Sequence, residues 1–166
     1  MKRKNYKMKA LILIDIQNGL TRKKTLYKER LFIDTINSAI KEYRASGLKI
    51  IFVQHNNNQL KKGSYDWEID ERINRHENEI IIQKNHGNAF QKTNLKELLY
   101  DSQIDHIIIG GLTSHGCVKA TFLGGIEERF KTSLLINGHT NWNKDAETKI
   151  SETEKEVNYL EKNSGI

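Results

Sequence analysis

Apolar runs and amphipathic stripes alternate along the chain. Residues 10–16 are almost all apolar and predict a first strand, and residues 49–54, 79–83, 107–109 and 133–136 predict four more. Between them, apolar positions 32, 36, 39, 40 and 43 share one helical face, with Gly47 placed to cap the helix C-terminus. Residues 94–100 predict a short helix with Asn94 as its N-cap, and residues 145–161 a charged amphipathic helix. Continuously apolar strands separated by helices are the pattern of a parallel sheet covered on both faces, an α/β protein. Residues 55–78 form a polar excursion between the second and third strands, long enough to be read as lining a site.

The fourth strand leads into the chain's single cysteine. Gly110 and Gly111 are expected to turn the chain out of that strand, and Cys117 to fall in the first turn of the next helix. There, unpaired N–H groups and the helix dipole favour a thiolate, which makes Cys117 a candidate nucleophile. The alternative is a small buried side chain packing a strand–helix corner. Ligands of open α/β sheets bind outside the carboxyl ends of the strands, where Asp15 and Lys84 also stand. Each could be a plain turn or solvated residue, but together they place an acid, an ammonium and a thiol on one sheet edge.

With 166 residues, one domain is expected, spanning residues 10–166 behind a basic tail of residues 1–9. Lys2, Arg3, Lys4, Lys7 and Lys9 supply five of the 27 basic side chains, and residues 10–166 hold 22 bases against 21 acids. The net charge of +6 is thus mostly a property of the tail, and no nucleic-acid motif or aromatic-interleaved basic stripe accompanies it. Nucleic acid is not expected as a partner. One cysteine excludes an intramolecular disulfide and any multi-cysteine zinc site, which fits a reducing compartment, the cytoplasm. Asp15 ends the first apolar run too early for an export signal, and no run has the ~18 apolar residues of a membrane span.

The order and spacing of several segments are similar to those of the isochorismatase-like cysteine hydrolase superfamily, which includes nicotinamidases and N-carbamoyl amidohydrolases. The segments are Leu-Ile-Leu-Ile-Asp-Ile-Gln-Asn at 11–18, Ile-Phe-Val-Gln-His-Asn at 51–56, Trp-Glu-Ile at 67–69, Gln-Lys-Asn-His-Gly-Asn-Ala-Phe at 83–90 and Gly-Gly-Leu-Thr-Ser-His-Gly-Cys-Val-Lys-Ala-Thr at 110–121. The resemblance implies an open, mostly parallel sheet of five or six strands in a Rossmann-type α/β/α arrangement. It implies a catalytic triad of Asp15 as general base, Lys84 as its partner and Cys117 as nucleophile, cleaving a C–N bond of a small molecule through a thioester. It further implies an oxyanion hole from the backbone of Thr113 and Cys117, and a cis peptide between Leu112 and Thr113. Gln17, Trp67, Phe90, His115 and Trp142 are candidate pocket residues, and a homo-oligomer is expected by analogy.

Two departures qualify the resemblance. Metal-dependent nicotinamidases carry an Asp-x-His pair after the second strand, whereas here His55 is followed by Asn56, Asn57 and Asn58, so neither metal nor other cofactor is expected. The family's common Asp after the fifth strand is replaced by Asn137. Isochorismate cleavage, in a branch lacking the cysteine nucleophile, is disfavoured. The alternative function is a catalytically silent member that binds a ligand or partner.

Overall fold

A computed structural model of the chain describes residues 8–166. Its elements run β1 (Met8–Ile14), α1 (Asn18–Thr21), α2 (Glu29–Ala45), β2 (Lys49–His55), β3 (Ile80–Lys84), α3 (Leu95–Asp101), β4 (Ile104–Leu112), α4 (Lys119–Glu127), β5 (Lys131–Thr140) and α5 (Ala146–Asn163). The five strands among the described residues lie in the order β3-β2-β1-β4-β5, every neighbouring pair parallel. Residues 1–7 of the expected tail lie outside the described residues, while Met8 and Lys9 belong to β1. No helix among the described residues is long and apolar enough to cross a membrane.

The apolar run of β1 is divided between two cores because successive side chains point to opposite faces. Ala10, Ile12 and Ile14 join Ile107, Ile109, Leu95, Leu99, Phe122 and Val157 on the side of α3, α4 and α5. Leu11 and Leu13 join Phe52, Ile108, Phe32, Ile36 and Ile40 on the side of α2. Burial on both faces is why these strands carry no polar alternation. The chain builds outward through β2 and β3 on one side of β1, then returns to add β4 and β5 on the other. Strand order therefore reverses between β1 and β4, and a crevice opens beyond their carboxyl ends.

Several boundaries differ from expectation. Asp15 lies just past β1, since that strand starts and stops two residues earlier than its pattern suggested. Gly110 and Gly111 do not lead out of β4. They lie inside it, opposite Leu13 and Ile14 of β1. Gly111 has φ +120°, and a Cβ there would lie 2.0 Å from the Ile14 carbonyl oxygen, so only glycine allows the two strands this close beside Asp15. β5 is also longer than expected: Leu134 and His139 pair with Ile109 and Gly111, so four residues of β5 loop out opposite Gly110. Asn94 makes no side-chain cap to α3; the Thr93 hydroxyl accepts from Leu95 N at 3.3 Å instead.

Candidate active site

Three segments meet at the crevice. Asp15 follows β1 in a left-handed conformation (φ 55°) that aspartate tolerates, and its N–H donates to the Val53 carbonyl at 2.9 Å. Lys84 ends β3, and Cys117 lies in a wide turn, Ser114–Val118, that joins β4 to α4. Gly116 leaves helical geometry within that turn (φ −105°, ψ −115°), and any side chain there would strike Thr113 Oγ1. Cys117 therefore precedes α4 rather than occupying its first turn. The Leu112–Thr113 peptide at the head of the turn is cis.

The Lys84 ammonium is the hub of the cluster. It lies 2.9 Å from Asp15 Oδ2, 2.9 Å from His55 Nδ1 and 3.4 Å from Cys117 Sγ, one acceptor for each of its three hydrogens. Asp15 Oδ1 is buried without a hydrogen-bond partner among the described residues. Ligand atoms of Asp15, His55 and Cys117 lie within 4.8 Å of one another, a donor set of the kind that grips a divalent cation. Here the ammonium contacts all three, and a metal ion among them would have to displace or deprotonate a buried lysine.

Burial sets the protonation states. It pushes the Asp15 carboxyl above the usual carboxylate range, against the opposing pull of Lys84. It also pushes the Cys117 thiol up to about 11, helped by the neighbouring Asp15 carboxylate and opposed by Lys84. Both influences oppose the thiolate expected from a helix N-terminus: the sulfur is partly buried, precedes α4 and faces a carboxylate. His55 is lowered by burial and by Lys84.

The candidate pocket residues are placed unequally. Gln17 is fully buried and spends its amide on backbone: Nε2 donates to the carbonyls of His55 (3.1 Å) and Trp67 (2.8 Å), and Oε1 accepts from His55 N at 2.9 Å. It clamps β2 and the long excursion rather than facing a cavity. Trp67 is half-buried on that excursion, with Nε1 donating to Asn56 Oδ1 at 2.5 Å. Phe90 belongs to the core, its ring 5.8 Å from that of Phe130. His115 is exposed beside Cys117, with Nδ1 2.6 Å from Asn141 Oδ1. Trp142 packs on the α2-side core, donates to the Leu20 carbonyl at 3.0 Å and lies under the Lys24 ammonium. Asn137 sits in the loop-out of β5 with φ 59°.

Sequence reasoning missed three supports. His55, expected to be a polar loop or pocket residue, ends β2 in register with Lys84. His139, also passed over, is buried between Ser114 Oγ (2.8 Å from Nδ1) and Glu154 Oε1 (3.2 Å from Nε2), linking the cysteine turn to α5. Asp70 is fully buried and binds Thr21 Oγ1 at 2.6 Å and Arg72 Nη2 at 2.6 Å, which ties the excursion to α1. The register of β2 and β3 was the one signal that pointed to His55. The other two contacts cross distances in sequence that no local pattern spans.

Fold and site together define a doubly wound α/β protein with an acid, a lysine and a cysteine gathered at its topological switch point. Residues 9–153 match the Isochorismatase domain family, and the chain belongs to that family. It is similar to an N-carbamoylsarcosine amidase of Arthrobacter sp, 33% identical over 113 residues, which covers 61% of this chain and 43% of the relative. A ureidoacrylate amidohydrolase, RutB of Klebsiella pneumoniae, is 25% identical over 156 residues, covering 70% of this chain and 66% of the relative. The chain thus spans less than two thirds of the length of both. A crystal structure of an isochorismatase family protein superposes with a TM-score of 0.84 at 29% identity, covering 89% of this chain and 91% of that one. N-carbamoylsarcosine amidase from Thermoplasma acidophilum shares the fold, with a TM-score of 0.78 at 19% identity over 95% of this chain and 93% of that one.

Proposed function

We propose that the protein is a metal-independent amidohydrolase that cleaves the C–N bond of a small ureido or N-carbamoyl compound, with Cys117 as nucleophile, Asp15 as general base and Lys84 as the counter-ion of both. The observation that carries this reading is the single ammonium lying within hydrogen-bond reach of both the carboxylate and the sulfur. The substrate class is supported by two relatives whose names specify such compounds.

The chemistry follows from charge conservation within the cluster. At rest the site holds a carboxylate, an ammonium and a neutral thiol. As sulfur attacks the carbonyl carbon, its proton passes to Asp15, whose carboxyl is raised toward the thiol by burial. As the C–S bond forms and the carbonyl π pair moves to oxygen, negative charge passes from the Asp15 carboxylate by way of the sulfur to the substrate oxygen, with the ammonium in contact with the first two. The tetrahedral oxyanion is placed against the backbone N–H groups of Thr113 and Cys117. Asp15 then returns the proton to the departing ammonia or amine and activates water against the thioester.

No step in this scheme calls on a metal ion, because the ammonium supplies the positive charge. The test is ammonia release from a panel of ureido, N-carbamoyl and simple carboxamide compounds, assayed with and without a chelator. Turnover that survives chelation and is lost in Cys117→Ala and Asp15→Asn supports the reading. Turnover restored only by added divalent metal, or a Cys117→Ala variant as active as the parent, refutes it.

A further inference from the structure

We propose that His55 is a positioning residue for the Lys84 ammonium, held as the neutral tautomer that carries its proton on Nε2 and accepts from Lys84 at Nδ1. The proposal rests on the reading of Cys117 as nucleophile and goes beyond it by giving the triad a fourth member.

The argument starts from donors and acceptors. An ammonium has three hydrogens and no lone pair, so a nitrogen 2.9 Å from Lys84 Nζ must accept. Nδ1 then carries no proton, and in a neutral ring the proton sits on Nε2. Two acceptors, Asp15 Oδ2 and Cys117 Sγ, would leave the third hydrogen of a fully buried lysine without a partner; Nδ1 supplies it. Three contacts from three elements also remove the rotational freedom by which a lysine head could drift away from sulfur as charge develops there.

The position of His55 is itself held in two ways. His55 pairs in register with Lys84 on the adjacent parallel strand, which sets the two side chains side by side on one face of the sheet. Gln17 grips both main-chain groups of His55, donating to its carbonyl and accepting from its N–H. The buried Gln17 side chain is thereby explained: it fixes His55, and His55 fixes Lys84.

Protonating the ring would destroy the arrangement. An imidazolium has no acceptor to offer and repels the ammonium beside it. The charged and titratable groups that face His55 are Lys84 from β3, His86 from the loop after it, and Asp15 from the end of β1. Burial, Lys84 and His86 keep the ring neutral at pH 7, while Asp15 favours the charged form.

The experiment has two arms that need no hydrolytic substrate. Ring-nitrogen NMR of the full chain, with His55 signals identified by their absence in His55→Gln, reports the tautomer directly. The expected result at pH 7 is an unprotonated Nδ1 and a protonated Nε2; a proton on Nδ1, or an imidazolium, overturns the proposal. The second arm is the rate of Cys117 alkylation by iodoacetamide as a function of pH. His55→Leu is expected to slow it by about 10- to 100-fold through misplacement of the ammonium. His55→Gln, whose Oε1 can accept from Lys84, retains most of the rate at pH 8 and shows at low pH only the fall in thiolate fraction, without the extra decline that wild type shows as the ring protonates. Equal rates and equal pH profiles for wild type and both variants also overturn the proposal. Should His55→Leu fail to fold, the tautomer and the His55→Gln profile decide. A wild-type protein that passes both arms yet releases ammonia from no amide contradicts the hydrolase reading and leaves the role of His55 intact.

Discussion

Lys84 and Asp15, 69 positions apart in sequence, form an ion pair with Nζ 2.9 Å from Oδ2, their side chains 0% and 3% exposed. Such a pair holds the ends of β1 and β3 together, and the ammonium opposes the burial that raises the Asp15 carboxyl. Removing one member leaves an uncompensated buried charge. Lys84→Met is expected to cost about 3–5 kcal/mol of folding stability, measured by urea denaturation. The double variant Lys84→Met with Asp15→Asn should recover most of that loss, because no charge then remains. A single variant as stable as wild type would show that the pair is not closed to water.

Asp15 acts on the thiol in two opposed ways, and one substitution separates them. Burial, then the carboxylate, raises Cys117 to about 11, so alkylation of wild type should climb with pH through the alkaline range. In Asp15→Asn the raising charge is gone, the thiol falls below 11, and the thiolate fraction at pH 9 increases. Alkylation by iodoacetamide at that pH should therefore speed up while hydrolysis is lost for want of a base. A parallel fall of both rates would contradict the claim that the carboxylate holds the thiol up, and would show Asp15 acting on the sulfur chiefly as a proton acceptor.

Asp70 secures the excursion between β2 and β3. Burial pushes its carboxyl up, but hydrogen bonds from Arg72 and Thr21 outweigh burial and hold it at about 2. A carboxyl depressed in the fold stabilises the protein above its unfolded pKa of ~3.9, and that stability is lost as pH falls toward 2. The shift corresponds to about 2 kcal/mol. Asp70→Asn should thus lower the urea midpoint at pH 6, with the difference from wild type shrinking between pH 4 and pH 2. A difference that does not vary with pH would assign the stabilisation to packing instead.

Gly111 is the point of closest approach between β1 and β4. With φ +120° and a would-be Cβ 2.0 Å from the Ile14 carbonyl oxygen, Gly111→Ala combines backbone strain with overpacking. A loss of about 3 kcal/mol or more is expected in thermal or urea unfolding. Because Ile14 precedes Asp15, whatever protein folds should also hydrolyse substrate more slowly. An alanine variant of native stability would mean that the strands separate more freely than their pairing implies.

Much of this arrangement was legible in the sequence because it depends on local period. The apolar runs at β1 and β2 and the α2 stripe marked the sheet and one covering helix. Asp15, Lys84 and Cys117 stood at strand ends, where an open sheet gathers its chemistry. What was not legible depends on registers and loops. The pairing of Ile14 with Gly111 drew two glycines into β4 that local pattern assigns to a turn. Among the aromatic candidates, Phe90 stacks on Phe130 and Trp142 donates to the Leu20 carbonyl, contacts that local pattern does not reveal because a ring fills core as readily as pocket. The contact of His55 with Lys84 is not visible in the motif because it depends on the register of the neighbouring strand. Burial and a facing carboxylate, which push the Cys117 thiol up, are invisible in a motif.

The central claim is a covalent bond between substrate and Cys117, and mass spectrometry of the protein quenched during turnover of a ureido or N-carbamoyl compound tests it most directly. The account predicts an acyl adduct on the peptide containing Cys117, discharged by hydroxylamine and missing in Asp15→Asn. Steady release of ammonia by wild type with no adduct at any quench time, and undiminished release by Cys117→Ala, would contradict it.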